Sequence, residues 1–432
     1  MVLKEVFPKE LKAIMNIFSS LHSRNYRLYF IGQGVSLIGT WMQNIALSWL
    51  VYRLTGSVFL LGLIGFTSQI PTFILAPFTG VLTDRYNRLR IMTVAQAFFM
   101  LQALTMTLLV LFNLIEVWHI IALSLVFGII SAFDAPARQS LVIDLIDKPE
   151  DLGNAIALNS ALFNGARLIG PAIAGIAIAA FGEGICFLLN TLSFVAVIIA
   201  LLRITIPFKP AQVQPEKFKK SFTEGFQYTF QSLPIRTLIT LLALLSIVGF
   251  PFLVLLPAYA KEILHGGSDT LGFLMSSLGA GALTGAIFMA SRKSVLGLGR
   301  IISVNVILFG AAIVFASLSE KMIFSLISFY IGGLSMILSL AAINTMLQTI
   351  ADEDKRGRVM SFYAMALMGT TPIGNLLAGS VASGIGIPYT LLTGGIITVF
   401  AGIWFQLKRK ELRKHIRPIY ITKGILPQLP VE

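Results

Sequence analysis

One charge stands inside an apolar run. Arg167 lies in the stretch from Gly153 to Gly175, which is otherwise apolar enough to sit in a bilayer. An arginine near mid-bilayer costs about 2.5–3.5 kcal/mol on insertion scales, so it normally faces a cavity or a partner. A guanidinium grips planar oxygen pairs. The chemistry on offer is the anchoring of an anionic group that presents paired oxygens, or gating; the alternative is a structural ion pair with a carboxylate such as Asp134. Amides that could line the same cavity are Asn159 and Asn164 on this stretch, Gln43 and Asn44 in the first apolar run, and Gln69, Asn305, Asn344 and Gln348. Their alternative role is to bond helix to helix.

A carboxylate in a weakly polar site has its pKa raised toward neutrality and can take up and release a proton there. No Asp or Glu lies well inside an apolar run. Asp134, at the end of the fourth run, is the first choice, and Asp144 lies beyond it. Glu116, Glu183, Glu262 and Asp269 fall at the opposite ends of the runs. His22 and His119 lie at interfaces and His265 in a loop, where single histidines are ordinarily unremarked surface residues. No phosphate-binding loop, metal-ligand cluster or nucleophile–base pair is present. No catalytic residue, cofactor or metal is therefore expected, and neither is ATP-driven pumping.

The chain that positions these groups has 432 residues, 56% of them hydrophobic and 12% charged, with mean hydropathy +0.83. Soluble domains carry about a quarter charged residues. Apolar runs of bilayer-spanning length recur throughout, and they are continuous rather than alternating, which selects helices over barrel strands. The expected fold class is an all-α membrane protein. Spans are expected at about 28–52, 58–82, 91–115, 118–133, 155–181, 184–202, 237–260, 270–290, 301–318, 322–350, 358–383 and 389–407.

Twelve transmembrane helices thus fall into two six-helix bundles, residues 28–202 and 237–407. A polar segment, 134–151, separates the fourth and fifth spans. Residues 1–27 form an N-terminal amphipathic segment, with Leu11, Ile14, Met15, Phe18 and Leu21 at helical spacing. It has no apolar core of the kind a cleaved signal needs. The linker 203–236 carries Phe218, Phe222, Phe226 and Phe230 every four residues, which predicts a second interfacial helix. A basic tail, 408–432, closes the chain. The one cysteine, Cys186, lies in an apolar run and reads as a core residue.

The halves are related. Gly153, Gly165, Gly170 and Gly175 return at a constant offset of 204 as Gly357, Gly369, Gly374 and Gly379, while Thr371 stands where Arg167 would be. Gly62 and Arg90 return as Gly272 and Arg300 at an offset of 210. Of the 33 lysines and arginines, only Arg53, Lys261, Lys321 and Arg167 fall outside the segments on one side of the membrane. The positive-inside rule makes that side, with both termini, the cytoplasm. The net charge of +13 is thereby placed for anionic lipid and not for nucleic acid.

The turn Gly80-Val-Leu-Thr-Asp84-Arg85-Tyr-Asn87-Arg88 resembles the Gly-x-x-x-Asp-Arg-x-Gly-Arg loop of the major facilitator superfamily. It departs at Asn87, which tolerates a left-handed backbone better than most residues. The resemblance implies two pseudo-symmetric bundles, alternating access, and a cytoplasmic latch formed by Gly80, Asp84, Arg85 and Arg88. Ser294 has replaced the aspartate in the second half, so the latch should be one-sided.

The group Gly165, Gly170, Pro171 and Gly175 resembles the fifth-span motif of exporters in that superfamily. A narrower resemblance rests on Gly39-Thr-Trp41-Met-Gln43, Asp134-Ala-Pro136-Ala-Arg138-Gln139, Asn159 through Pro171, and Arg356-Gly357-Arg358. These look like the enterobactin-exporter and macrolide-efflux-like branch. It implies a monomeric, proton-driven exporter of a siderophore or a hydrophobic drug in a bacterial inner membrane. A lipid translocator or membrane sensor is the reading from another class, and it would not need a buried arginine facing a polar cavity.

Overall fold

A computed structural model describes residues 18–206, 218–292 and 294–427, with the side chains of Pro77, Val81, Asp84 and residues 218–222 left out. Among the described residues the chain is helical, without strands. The helices are α1 (Arg24–Thr55), α2 (Val58–Arg85), α3 (Arg88–Leu111), α4 (Val117–Asp144), α5 (Leu152–Phe181) and α6 (Glu183–Leu202). After the linker come α7 (Phe218–Gln231), α8 (Leu233–Leu244), α9 (Ser268–Ser291), α10 (Leu298–Ser317), α11 (Met322–Ile350), α12 (Arg356–Ala364), α13 (Thr370–Ile385) and α14 (Ile387–Thr422).

Among the described residues, ten helical stretches are long and apolar enough to cross a membrane. The first and eleventh expected spans are not among them. At 32 residues α1 is long enough, so it falls short in apolarity. Its amides and hydroxyls, from Gln33 to Ser48, lower the mean. The eleventh is interrupted by a π-helical turn at Met365–Gly369 between α12 and α13, and it too falls short in apolarity, with Arg356 and Arg358 at its start and Thr370, Thr371 and Asn375 beyond the turn. The seventh is broken too: beyond α8 the chain passes through a π turn at Leu245–Gly249 and a 3-10 stretch at Phe250–Leu255 around Pro251. Proline removes a backbone donor and crowds the preceding turn, which kinks or breaks a helix.

Two other boundaries differ from expectation. The fourth span does not end at 133: α4 continues through Pro136 to Asp144, and the supposed loop at 134–144 is helix. The polar run reads as a loop only until its polar groups are seen to be satisfied within the bundle. The basic tail is not a separate segment either, because α14 runs unbroken to Thr422 with Leu412, Ile416 and Tyr420 buried along one face. Of the N-terminal amphipathic segment, Leu11, Ile14 and Met15 lie outside the described residues. Leu21 packs against the core, and Phe18 is exposed.

The linker helix α7 is more than an interfacial float. Glu224 pairs with Arg358 at 2.8 Å, the Tyr228 hydroxyl accepts from the Asp352 amide at 3.1 Å, and Phe226 and Phe230 lie 6.1 and 6.2 Å from the Phe362 ring. Burial pushes the Tyr228 hydroxyl above its ordinary pKa range, so it stays neutral. Phe218 and Phe222, the other two members of the repeat, have side chains outside the described residues.

The chain forms two compact units. The first holds α1 up to Ala46, α2 from Ile74, and α3 to α6. The second holds Leu47–Phe73, the linker helix α7 and the helices after it. In the first, Tyr26, Tyr29, Met92, Phe99, Phe194 and Val197 build a core in which Phe99 stacks on Phe194 at 5.6 Å. In the second, Phe252 stacks on Phe329 at 5.8 Å, and the buried Tyr259 hydroxyl meets Ala316 O, Ser319 O and Ser325 Oγ within 3.0 Å.

The glycine repeat has a packing meaning. A Cβ on Gly170 would come 2.6 Å from Trp41 Cβ on α1, and one on Gly374 would come 2.6 Å from Ile247 O just after α8. The same repeat position therefore brings the fifth span against the first and the eleventh against the seventh. Small residues allow such backbone approach where no hydrophobic drive separates protein from lipid. Within the second unit, Gly379 also lets α13 meet α2, where a Cβ would stand 2.9 Å from Gly62 Cα.

Candidate functional site

Helix α5 carries Arg167 one turn before Gly170 and Pro171. That spacing aims the guanidinium at the helix which Gly170 admits. Its carbon lies 5.7 Å from the Trp41 ring centroid on α1, and Phe163 meets the same indole edge-on at 6.1 Å. Among the described residues no carboxylate pairs with Arg167, and its buried Nε has no hydrogen-bond partner. The ion pair with Asp134 considered from sequence does not form. A cation–π contact is worth about 0.5–2 kcal/mol, less than the cost of placing the charge in a membrane. The site is therefore left with spare electrostatic capacity, of the sort an anion satisfies.

Asp134 is engaged elsewhere, and more deeply than expected. It lies inside a spanning helix, 4% exposed. Gln96 Nε2 on α3 donates to its Oδ1 at 2.8 Å, and Arg138 one turn along α4 stands 3.5 Å from its Oδ2. The expectation that no carboxylate lies well inside a span is thus corrected: extending α4 by eleven residues beyond 133 takes Asp134 into the core. Tyr29 borders this group and donates to Asn159 Oδ1 on α5 at 3.5 Å.

The remaining amides divide. Gln43 sits in a buried chain in which Asn190 Nδ2 donates to Gln43 Oε1 at 2.7 Å and Gln43 Nε2 donates to Gln102 Oε1 at 3.0 Å. That chain ties α1, α3 and α6 together, so the structure gives Gln43 a packing position and not a lining one. Asn164 bonds Ser160 O within its own helix at 2.8 Å, and Asn305 bonds Ile301 O at 2.9 Å. Gln348 Nε2 donates to Asn344 Oδ1 at 2.6 Å along α11. Asn44 and Gln69 are exposed.

In the latch turn, Gly80 and Arg85 lie at the end of α2, Arg85 exposed, and the Asp84 side chain lies outside the described residues. Arg88 pairs with Asp144 at 3.0 Å. Asn87 is not left-handed: with φ −65° it caps α3, its Oδ1 accepting from the Arg90 amide. Asn substitutes for glycine here because it supplies a cap. Gly165 has no neighbour within 4 Å, and Pro171 and Gly175 are buried inside α5.

Four participants were not singled out from sequence: Tyr29, Gln96, Gln102 and Asn190. The last three are isolated amides in apolar spans, a readable signal. A further pairing, the Tyr52 hydroxyl donating to the Glu262 carboxylate with Lys261 over the Tyr52 ring, joins the end of α1 to the far end of the broken seventh helix.

A family model described as transmembrane secretion effector matches residues 15–417. The staphyloferrin A transporter of Staphylococcus aureus is 26% identical over 397 residues, 90% of this chain and 97% of its own. Macrolide efflux protein A of Streptococcus pyogenes is 22% identical over 387 residues, 88% of this chain and 95% of its own. Among solved structures, a bacterial homologue of the human lysosomal transporter Spinster superposes with TM-score 0.69 at 13% identity, covering 91% of this chain and 98% of that one. The nucleoside transporter NupG superposes with TM-score 0.72 at 10% identity, covering 89% and 99%. These structures share the fold.

Proposed function

Because the chain belongs to the transmembrane secretion effector family, a branch of the major facilitator superfamily whose members are transporters and not enzymes, we propose that it exports a siderophore from the cytoplasm by alternating access. The observation that carries this reading is Arg167: a guanidinium in a spanning helix, without a carboxylate partner among the described residues, beside an aromatic wall. An oxygen-rich anionic chelate supplies what the site lacks. The staphyloferrin A transporter supports that class of cargo, and Gly170-Pro171 supports outward transport. Asp134, buried beside Gln96 and Arg138, is the carboxylate to which this reading gives proton coupling.

The topology proposed has six spans either side of the linker, both termini in the cytoplasm and a monomer in the inner membrane. On it, the Tyr52–Glu262 and Gly62–Gly379 contacts lie on the outer side and have to part when the transporter opens outward. Efflux of hydrophobic drugs is the second reading. It is favoured by macrolide efflux protein A among the relatives and by the apolar Trp41–Phe163 wall.

The test is a deletion strain grown iron-poor and complemented with wild type or Arg167→Ala, with secreted chelator assayed in the medium. Wild type should restore secretion, and a protonophore should abolish it. The variant should reach the membrane and fail to secrete. Wild-type secretion by Arg167→Ala would sink the anchoring role; undiminished chelator from the deletion strain would turn the reading to drugs.

A further inference from the structure

A cleft in the second unit takes no part in the proposed transport site. It has a volume of about 580 Å3 and is lined by Thr345, Gln348 and Thr349 at the end of α11, Glu353 and Arg356 leading into α12, and Lys423 just past α14. The lining is rich in hydrogen-bond donors. Lys423 Nζ gives two of its protons to Thr349 O at 2.8 Å and Ala351 O at 2.7 Å. A helix end leaves such carbonyls without partners, and a cation there is favourable. The ammonium is thereby fixed in place with one proton over.

Gln348 gives one amide proton to Asn344 and keeps the other. Arg356 is exposed at the first position of α12, and among the described residues no carboxylate pairs with its guanidinium. Glu353 is the one acid in the lining. Two cations and several unused donors thus face a single carboxylate, with the positive end of α12 set against the negative end of α11 that Lys423 caps.

We propose that this cleft binds an anionic oxygen group, a phosphate or a carboxylate, held by Arg356 and Lys423 with Thr345 and Gln348 as neutral donors. On the topology proposed above, the cleft opens at the cytoplasmic headgroup layer. The group therefore comes either from an anionic lipid or from solution, and a ligand here ties the ends of α11, α12 and α14 together. The site stands whatever the cargo and direction of transport.

The test uses the full-length purified protein. Inorganic phosphate and citrate are titrated calorimetrically in detergent, and retention of phosphatidylglycerol from mixed-lipid nanodiscs is read by native mass spectrometry. At least one probe should bind. Arg356→Gln should weaken that probe about tenfold or more, the effect of losing a charged hydrogen bond, and Glu353→Gln should tighten it. Lys410→Gln, an exposed base on α14 outside the cleft, should leave it unchanged. Binding of the soluble anions assigns the ligand to solution, and retention of phosphatidylglycerol alone assigns it to lipid; either supports the site. Lys423→Ala also uncaps α11, so the decision rests on Arg356→Gln. No binding of any probe, equal binding by wild type and Arg356→Gln, or an equal loss in Lys410→Gln overturns the proposal.

Discussion

Replacing Arg167 by methionine should separate stability from transport. The substitution keeps an unbranched apolar stem and removes the charge. Holding that charge in a membrane costs about 2.5–3.5 kcal/mol, of which a cation–π contact returns about 0.5–2. The structure shows the Trp41 ring at 5.7 Å and no ion pair for Arg167 among the described residues. About 0.5–3 kcal/mol therefore stays uncompensated in the empty protein. Arg167→Met should be as stable as wild type or more so, by up to that amount, while export is lost. Thermal unfolding of both proteins in nanodiscs, run beside the secretion assay, measures the two effects. Arg167→Lys keeps the charge but not the planar fork, and should export less than wild type if the cargo presents paired oxygens. A loss of stability beyond about 2 kcal/mol in Arg167→Met would show that the arginine holds the fold, as a broken buried pair does. Retained export would refute the reasoning from the other side.

Gly170→Leu and Gly374→Leu should each destabilise by about 1–3 kcal/mol through overpacking, because the new Cβ meets Trp41 Cβ in one case and Ile247 O in the other, each at 2.6 Å. Gly165→Ala, with nothing within 4 Å, should show no such loss in the same unfolding measurement, and a matching loss would detach the repeat from close approach. Gln43→Leu should cost about 1–3 kcal/mol by stranding Asn190 and Gln102. Making Asn190 apolar as well should recover part of that cost in a double-mutant cycle, and strictly additive losses would mean the chain is not a coupled network.

Hydropathy made most helices legible, because a span needs only length and apolar composition. It failed where a tertiary partner changes the meaning of a polar residue. Asp134 to Gln139 reads as a loop on its own terms, yet Gln96 and Arg138 satisfy the carboxylate and α4 runs on. Lys408 to Arg417 reads as a tail, yet Leu412, Ile416 and Tyr420 give α14 a buried face. The breaks at Leu245–Gly249 and Met365–Gly369 leave no mark on average hydropathy, since a π turn changes hydrogen bonding and not composition. At the site, the cost of burying Arg167 was readable from its neighbours in sequence. Its company was not, because Trp41 meets it only through the approach that Gly170 allows.

The duplication separates scaffold from chemistry. Gly170 and Gly374 do the same work in related places, so selection for close packing acted on both copies. The charges did not follow. Thr371, at the position of Arg167, bonds Leu367 O one turn earlier in the chain at 2.5 Å and asks for no partner. The tenth span, α11, which corresponds to α4, carries no acid or base between Met322 and Ile350, where α4 carries Asp134 and Arg138. Packing alone would not retain buried charges on one side of a repeat, since apolar replacement of a buried pair is commonly neutral or stabilising. The asymmetry is better explained by chemistry done in the first unit. If so, moving Arg167 to the position of Thr371 should leave folding possible and transport lost, because the scaffold is shared while the aromatic wall of Trp41 and Phe163 is not.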